Sequence, residues 1–148
     1  MLDRRNVLWM GGALLAFTRV ARAAEKAVQT PSTAGEPSEA QQALAKAIGH
    51  CIEAGDMCLA HCLVVLGAGE TELAECARSV RDMLAICAAT QTLVASNSPY
   101  LKSAVQLCVT SCTDCERACR KHAEHHAVCK ACADACAATI NAARPLLA

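Results

Sequence analysis

Aromatic side chains are scarce in this sequence, which has one Trp, one Tyr and one Phe among 148 residues. Trp9 and Phe17 lie near the N-terminus, so Tyr100 is the single residue of this kind in the rest of the chain. Aromatic residues dominate the buried area of most protein cores. We therefore expect a core filled by Leu, Val, Ile and Ala together with the twelve cysteines.

The sequence also has no excess of basic residues. Fourteen Lys and Arg balance fourteen Asp and Glu, so the formal net charge is zero. Removal of residues 1–23 would leave ten basic and thirteen acidic residues, a net charge of −3. Proteins that bind nucleic acid carry a basic patch or stripe. We therefore predict that the protein has no nucleic-acid partner.

The N-terminal apolar run, from residue 7 to residue 17, is too short to remain as a membrane anchor. A twin arginine at positions 4 and 5 precedes it, and Ala21-Arg22-Ala23 follows as a small-x-small cleavage site. This pattern predicts a Tat-type signal peptide over residues 1–23 and export to the periplasm. An ordinary Sec signal or an N-terminal helix is the alternative. No cysteine lies near the cleavage site, so we expect no lipid anchor and no membrane anchor after cleavage.

The remaining chain divides into a linker and one domain. Residues 24–37 are rich in Ala, Ser, Thr and Pro, which predicts a disordered linker. Ser38 with Gln41 three residues later matches a capping box, and Ser98 with Pro99 predicts the N-cap and first residue of a third helix. Helices are predicted over residues 39–66, 71–95, 99–122 and 125–143. Short connections force neighbouring helices to be antiparallel, so residues 38–148 are predicted to form an all-α, up-down-up-down four-helix bundle.

The cysteines are spaced 3, 4, 7 or 11 residues apart within the predicted helices. Each of these spacings returns to the same face of an α-helix, which we call the seam. The seams therefore predict a bundle whose core is lined by cysteines. The antiparallel order predicts an apolar plug at one end, made of Leu44, Ile48, Val94, Leu101, Val105 and Ile140. The other end, here called the mouth, collects Cys58, Cys62, Cys76, Cys115, Cys119, Cys129 and Cys132, with His61, His122, His125 and His126 at its rim.

This spacing favours metal binding over disulfides within a helix. Side chains four residues apart on a helix have Cβ atoms about 5–6 Å apart, whereas a disulfide requires about 3.5–4.5 Å. Thiolates select Cu(I), Zn or iron–sulfur clusters. Pairs of sulfurs on one helix suit Cu(I), with two or three soft ligands, better than structural Zn, which needs four. Several Cu(I) ions are the predicted cofactor, while Zn or other soft metals and a core of interhelical disulfides are the alternatives.

The candidate ligands include three residues other than cysteine. His61 is one residue away from the seam at the mouth, and Met83 lies on the seam of the second helix. His122 and His125 fall on the seam at helix ends, whereas His50 and His126 are predicted to be surface residues. The predicted metal ligands are Cys51, Cys58, Cys62, Cys76, Cys87, Cys108, Cys112, Cys115, Cys119, Cys129, Cys132, Cys136, His61, Met83 and His122.

Three motifs carry a resemblance to a known family: His50-Cys51 followed by Cys58-Leu59-Ala60-His61-Cys62, then Cys112, Cys115 and Cys119, then Cys129-Lys130-Ala131-Cys132 and Cys136. Over residues 44–140 the chain resembles the bacterial copper storage proteins, and its signal resembles that of the exported branch. The resemblance implies a four-helix bundle that holds many Cu(I) ions on thiolates. It also implies a homotetramer, copper uptake at the end bearing His61, and copper enzymes as recipients.

Storage or buffering of copper is thus the leading functional hypothesis. A detoxifying copper sink or a metallochaperone would use the same chemistry, and a structural bundle with interhelical disulfides would use no metal. An enzyme would need a pocket with a placed nucleophile and base. The sequence shows neither a Ser-His-Asp set nor a single activated cysteine, so we predict that the protein is not an enzyme.

Overall fold

A computed structural model describes residues 35–148. The predicted signal peptide, and the linker as far as residue 34, lie outside the described residues. The described chain is helical, with α1 Glu39–Gly67, α2 Ala74–Ala95, α3 Leu101–Arg120, α4 Ala127–Ala143 and a final 3₁₀ turn, Arg144–Leu146.

The helices form a closed bundle. Each helix packs against the next one in the chain, and α4 packs back against α1. Because the connections are short, consecutive helices run in opposite directions. The predicted all-α, antiparallel four-helix bundle is therefore confirmed.

The start of α1 is fixed by the predicted capping box. The Ser38 hydroxyl accepts a hydrogen bond from the backbone N–H of Gln41 at 3.3 Å, and the Gln41 side chain accepts one from the backbone N–H of Ser38 at 2.6 Å. These bonds satisfy donors that a helix leaves free at its first turn. The Gln41 amide also donates to the Asn97 side chain at 2.9 Å, which ties the start of α1 to the turn between α2 and α3.

The starts of α2 and α3 differ from the predicted ones. α2 begins at Ala74 rather than near residue 71. α3 begins at Leu101, because Ser98 closes a separate turn instead: its carbonyl accepts from the backbone N–H of Leu101 at 3.0 Å and its hydroxyl from that of Tyr100 at 3.2 Å. The prediction of Ser98 as the N-cap of α3 is wrong.

The turn between α3 and α4 also differs from the prediction. α3 ends at Arg120 and α4 begins at Ala127, so residues 121–126 form a longer turn than expected. Without a Gly or Pro in this segment, the helical pattern continues in the sequence past the ends of both helices. The N-cap residue of α4 is His126, whose backbone is extended.

The two ends of the core differ in composition, as predicted. Leu44, Ile48, Val94 and Val105 are buried at the plug end, while Leu101 and Ile140 are partly buried against them.

Candidate metal centre

All twelve cysteine side chains are fully buried, with no solvent exposure, and all are free thiols. The prediction that the cysteines line the core of the bundle is therefore confirmed. The helices contribute unequally to this column of sulfur. α3 and α4 present cysteines at successive seam positions, whereas on α1 and α2 the series is interrupted by Gly55, Val80 and Met83.

A group of four cysteines from α1, α2 and α4 lies near the mouth, and we call it the mouth cluster. It consists of Cys58, Cys62, Cys76 and Cys129, whose sulfurs all lie within 4.8 Å of one another. The Cys58 sulfur lies 3.7 Å from that of Cys129 and 4.0 Å from that of Cys76. Four sulfurs at these distances could surround one soft metal ion.

A second group, the inner cluster, lies deeper in the bundle. Cys51, Cys87 and Cys112 come from α1, α2 and α3, and their sulfurs also lie within 4.8 Å of one another. Cys108 extends the group, since its sulfur is 3.7 Å from that of Cys87. On the side of α4, the Cys136 sulfur is 3.7 Å from that of Cys51.

Cysteines of α3 and α4 connect the two clusters. The sulfurs of Cys115, Cys132 and Cys136 form one compact group, and those of Cys58, Cys119 and Cys132 form another. The shortest thiol–thiol distance joins Cys76 of the mouth cluster to Cys119, at 3.3 Å. The sulfurs thus form a continuous column rather than isolated sites.

The distances between sulfurs fit soft-metal coordination. With a metal–sulfur bond of about 2.3 Å, as in zinc thiolates, three sulfurs around one ion lie about 4.0 Å apart and two opposite sulfurs about 4.6 Å apart. Most of the close thiol pairs join different helices, such as Cys87 with Cys112 at 3.8 Å and Cys115 with Cys132 at 3.8 Å. The sequence pointed to Cys-x-x-x-Cys pairs within one helix, but the compact groups combine sulfurs from two or three helices.

The buried thiols differ in their tendency to ionise. Hydrogen bonds from the thiols of Cys119 and Cys58 lower the pKa of Cys76 to about 3. Hydrogen bonds from Cys112 and Cys87 likewise lower the pKa of Cys108 to about 4.

The other three members of the mouth cluster, Cys58, Cys62 and Cys129, show the opposite shift, a raised pKa. Burial, followed by the negative charge of Cys76, raises the pKa of Cys62 to about 12. The same two causes raise the pKa of Cys129 to about 11. The cluster thus combines a thiolate that is ready to bind a cation with thiols that must first lose a proton.

Two threonines bound the sulfur column on the plug side. Thr90 and Thr139 occupy the seam positions that follow Cys87 and Cys136, and both are buried. Their hydroxyls donate to backbone carbonyls, Thr90 to Ile86 at 2.8 Å and Thr139 to Ala135 at 3.0 Å. Because these hydroxyls are already satisfied, the threonines separate the thiols from the plug without leaving an unpaired polar group.

The histidines at the mouth are arranged differently from the prediction. His61 and His126 are half-buried, and their ring nitrogens lie 2.9 Å apart in a hydrogen bond. His122 is half-buried as well, with its ring centroid 6.3 Å from that of His126. His125, predicted on the seam, is exposed, while His126, predicted at the surface, contacts His61. The helical pattern of α4 does not continue before Ala127. His125 and His126 precede the helix, where helical spacing does not set the direction of a side chain.

The remaining predicted ligand, Met83, is fully buried. Its sulfur lies 3.5 Å from the sulfur of Cys51, so the inner cluster has a thioether at its edge.

A helical bundle with a continuous column of buried, free thiols belongs to a class of proteins that bind soft metal ions in their core. A sequence model of the copper storage protein family matches residues 37–148, and the chain belongs to this family.

Individual relatives agree with this assignment. The uncharacterized cysteine-rich protein YhjQ of Bacillus subtilis strain 168 is 33% identical over 85 residues, which cover 57% of this chain and 75% of YhjQ. The Cu(I)-bound copper storage protein BsCsp3 is 30% identical, with a TM-score of 0.67 over 74% of this chain and 100% of BsCsp3. The copper storage protein Ccsp of Streptomyces lividans, loaded with 10 copper equivalents, is 27% identical, with a TM-score of 0.70 over 80% of this chain and 92% of Ccsp.

Proposed function

We propose that the protein stores copper as Cu(I) ions bound by the cysteine thiolates inside the bundle. The observation that carries the proposal is the column of twelve buried free thiols, eleven of which fall into compact groups at metal-binding distances. Family membership and the Cu(I)-bound relative supply the identity of the ion. The inner cluster, with three thiols, suits the low coordination number of Cu(I).

Zinc is the second candidate metal, because the mouth cluster has the four thiols that tetrahedral zinc requires. One of its members is shared with a neighbouring group, however, because Cys58 also belongs to the group with Cys119 and Cys132. Bridging thiolates of this kind favour a chain of Cu(I) ions over separate zinc sites. Competition between the two metals for the mouth cluster tests this preference, and exclusive zinc binding there would contradict it.

Storage is favoured over delivery by a metallochaperone, since all twelve sulfurs are fully buried. A chaperone needs an exposed site from which the ion can pass to a partner. A copper-detoxifying sink shares the storage chemistry, and the two differ in whether copper is released again. Storage followed by supply requires that a copper-depleted acceptor recover the ions, and irreversible retention would favour the sink. No catalytic step is proposed for the protein.

Titration of the reduced protein with Cu(I), followed by native mass spectrometry, tests the proposal. If each ion shares two thiolates with its neighbours, we expect saturation at about ten ions or more. The C115S/C119S variant should bind at least one ion fewer and keep its helix content. The matched control is A118S, which changes a buried residue of the same helix and removes no sulfur. Saturation of the unaltered protein at two ions or fewer would exclude storage.

We further propose export through the Tat pathway to the periplasm, supported by the twin arginine and the cleavage site. The Tat pathway carries folded proteins, so the thiols could be buried or loaded before they meet an oxidant. Recovery of the protein from the cytosol alone, or with its thiols fully oxidised, would contradict this proposal.

A homo-oligomer, a tetramer by resemblance, is proposed as the assembled form. Exposed apolar side chains on the outer faces of the bundle support it, among them Leu63, Val64 and Leu107. Light scattering that gives the mass of a single chain would contradict it. Copper enzymes are the proposed recipients, and failure of the loaded protein to reconstitute any such enzyme would count against that role.

A further inference from the structure

The column of thiols is incomplete on the side of α1 and α2. Between the mouth cluster and the inner cluster, α1 has Gly55 where a further cysteine would fit the spacing, and α2 has Val80 and Met83. Met83 is thus the one sulfur-containing side chain on α2 between Cys76 and Cys87. It is fully buried. A flexible methionine side chain often serves only to fill space in a core, so burial alone does not make it a ligand.

The position of the Met83 thioether is set by its neighbours. Its sulfur lies 3.5 Å from the Cys51 sulfur, across the contact between α1 and α2. Gly55 leaves space for the methyl end of the Met83 side chain. A Cβ atom at residue 55 would lie 2.8 Å from the Met83 methyl carbon and 2.9 Å from a methyl carbon of Leu84. The methyl group therefore occupies the space left by a glycine, while the sulfur faces a thiol of the inner cluster.

We propose that the Met83 thioether and the Cys51 thiolate together bind one Cu(I) ion at the edge of the inner cluster. The proposal rests on the proposed storage of Cu(I) and adds a ligand of a different chemical kind to it. Soft thioethers bind Cu(I). The flexible Met83 side chain can open the sulfur–sulfur distance from 3.5 Å towards the value of about 4.0–4.6 Å that an ion requires.

A neutral ligand has two consequences. Unlike a thiol, the thioether has no proton to lose, so binding at this site releases protons only from cysteines. It also adds no negative charge, so it attracts the ion less than a thiolate does. The site therefore extends the inner cluster on the α1 and α2 side with an ion held by one thiolate and one neutral sulfur.

Methyl NMR of the full chain, with ¹³C-labelled methionine methyl groups, tests the proposal. M83L identifies the Met83 signal and removes the thioether with little change in volume. M57L is the matched control, because Met57 is the other methionine in the described residues and is 52% exposed. On loading with Cu(I), we expect the Met83 signal to shift and the Met57 signal to stay in place. M83L should retain about one ion fewer than M57L against a Cu(I) chelator, as expected for the loss of one soft ligand.

The outcomes separate this site from storage in general. If both variants retain as many ions as the unaltered protein, Met83 is a packing residue and the site is excluded, while storage by the thiolates stands. A Met83 signal that stays in place while the other sites fill has the same meaning. If no copper is retained by any of the three proteins, the proposed function itself fails.

Discussion

Each cysteine of the bundle is a small apolar side chain in the packing and a metal ligand in the proposed function. The same burial that makes the thiol a good packing group raises the cost of ionising it. Neighbouring thiols offset that cost for some members, because a thiolate such as Cys76 is stabilised by hydrogen bonds from Cys119 and Cys58. Some thiols of the sulfur column are therefore already ionised before a metal ion binds.

The ionisation of the individual cysteines determines how many protons are released when copper binds. The pKa values of Cys62 and Cys129 are raised to about 12 and about 11, so both are protonated at pH 7 and must lose their protons when copper binds. The pKa of Cys76 is lowered to about 3, so this residue has no proton to lose. We expect loading to release protons, but fewer than one for each cysteine that binds, and copper affinity to fall as the pH falls.

Loading in weak buffer with a pH indicator measures this release. The C87S variant serves for comparison, because Cys87 contacts Cys108 and Cys112 rather than Cys62, Cys76 or Cys129. One proton for every cysteine would mean that Cys76 is a neutral thiol, and no release at all would mean that copper does not bind the thiols.

At the scale of the elements, the ends of the helices depend on a few polar contacts. Ser38 and Gln41 close the first turn of α1, and Gln41 holds Asn97 in the turn between α2 and α3. At the mouth, exposed ion pairs join neighbouring elements, such as Lys121 with Glu75 at 2.8 Å and Arg120 with Asp134 at 2.6 Å. Because these ion pairs are exposed to solvent, each contributes little to stability.

Loss of the α1 cap should be measurable. S38A removes the hydroxyl that accepts from the Gln41 backbone, and we expect the free energy of unfolding to fall by about 1 kcal/mol. Denaturant unfolding of the copper-free protein measures it. The control is S103A, which alters an exposed serine inside α3 and should change the stability by less than about 0.5 kcal/mol. Equal effects of the two substitutions would show that the capping box does not stabilise the bundle.

For the whole molecule, we expect folding and metal binding to be coupled. The core formed by residues 35–148 contains no aromatic side chain, and many of its buried positions are cysteine or alanine. Such small groups bury little apolar area, so a ligand that bridges several helices has a large share in holding them together. A metal ion bound by thiols from α1, α2, α3 and α4 would connect the helices in this way.

Thermal unfolding with and without Cu(I) tests this coupling. A single site held at a hundred times its dissociation constant stabilises the folded state by about 2.7 kcal/mol, which raises the Tm of a domain of this size by roughly 10 °C. Several sites should raise it further. Mg²⁺ is the control ion, because it prefers oxygen ligands and should leave the Tm unchanged. Coincident melting curves with and without Cu(I) would place the copper outside the core.

The sequence by itself determined the helical bundle, the burial of every cysteine and the difference between the plug and the mouth. These features follow from the spacing of residues along single helices, where periods of three and four define one face. Only the tertiary structure decided which sulfurs form a group, since Cys51, Cys87 and Cys112 come from three helices. It also decided that His126 rather than His125 meets His61, and that Met83 faces Cys51. Such contacts depend on the rotation and axial shift of one helix against another and on the course of a turn. Neither can be read from the spacing of residues along a single helix.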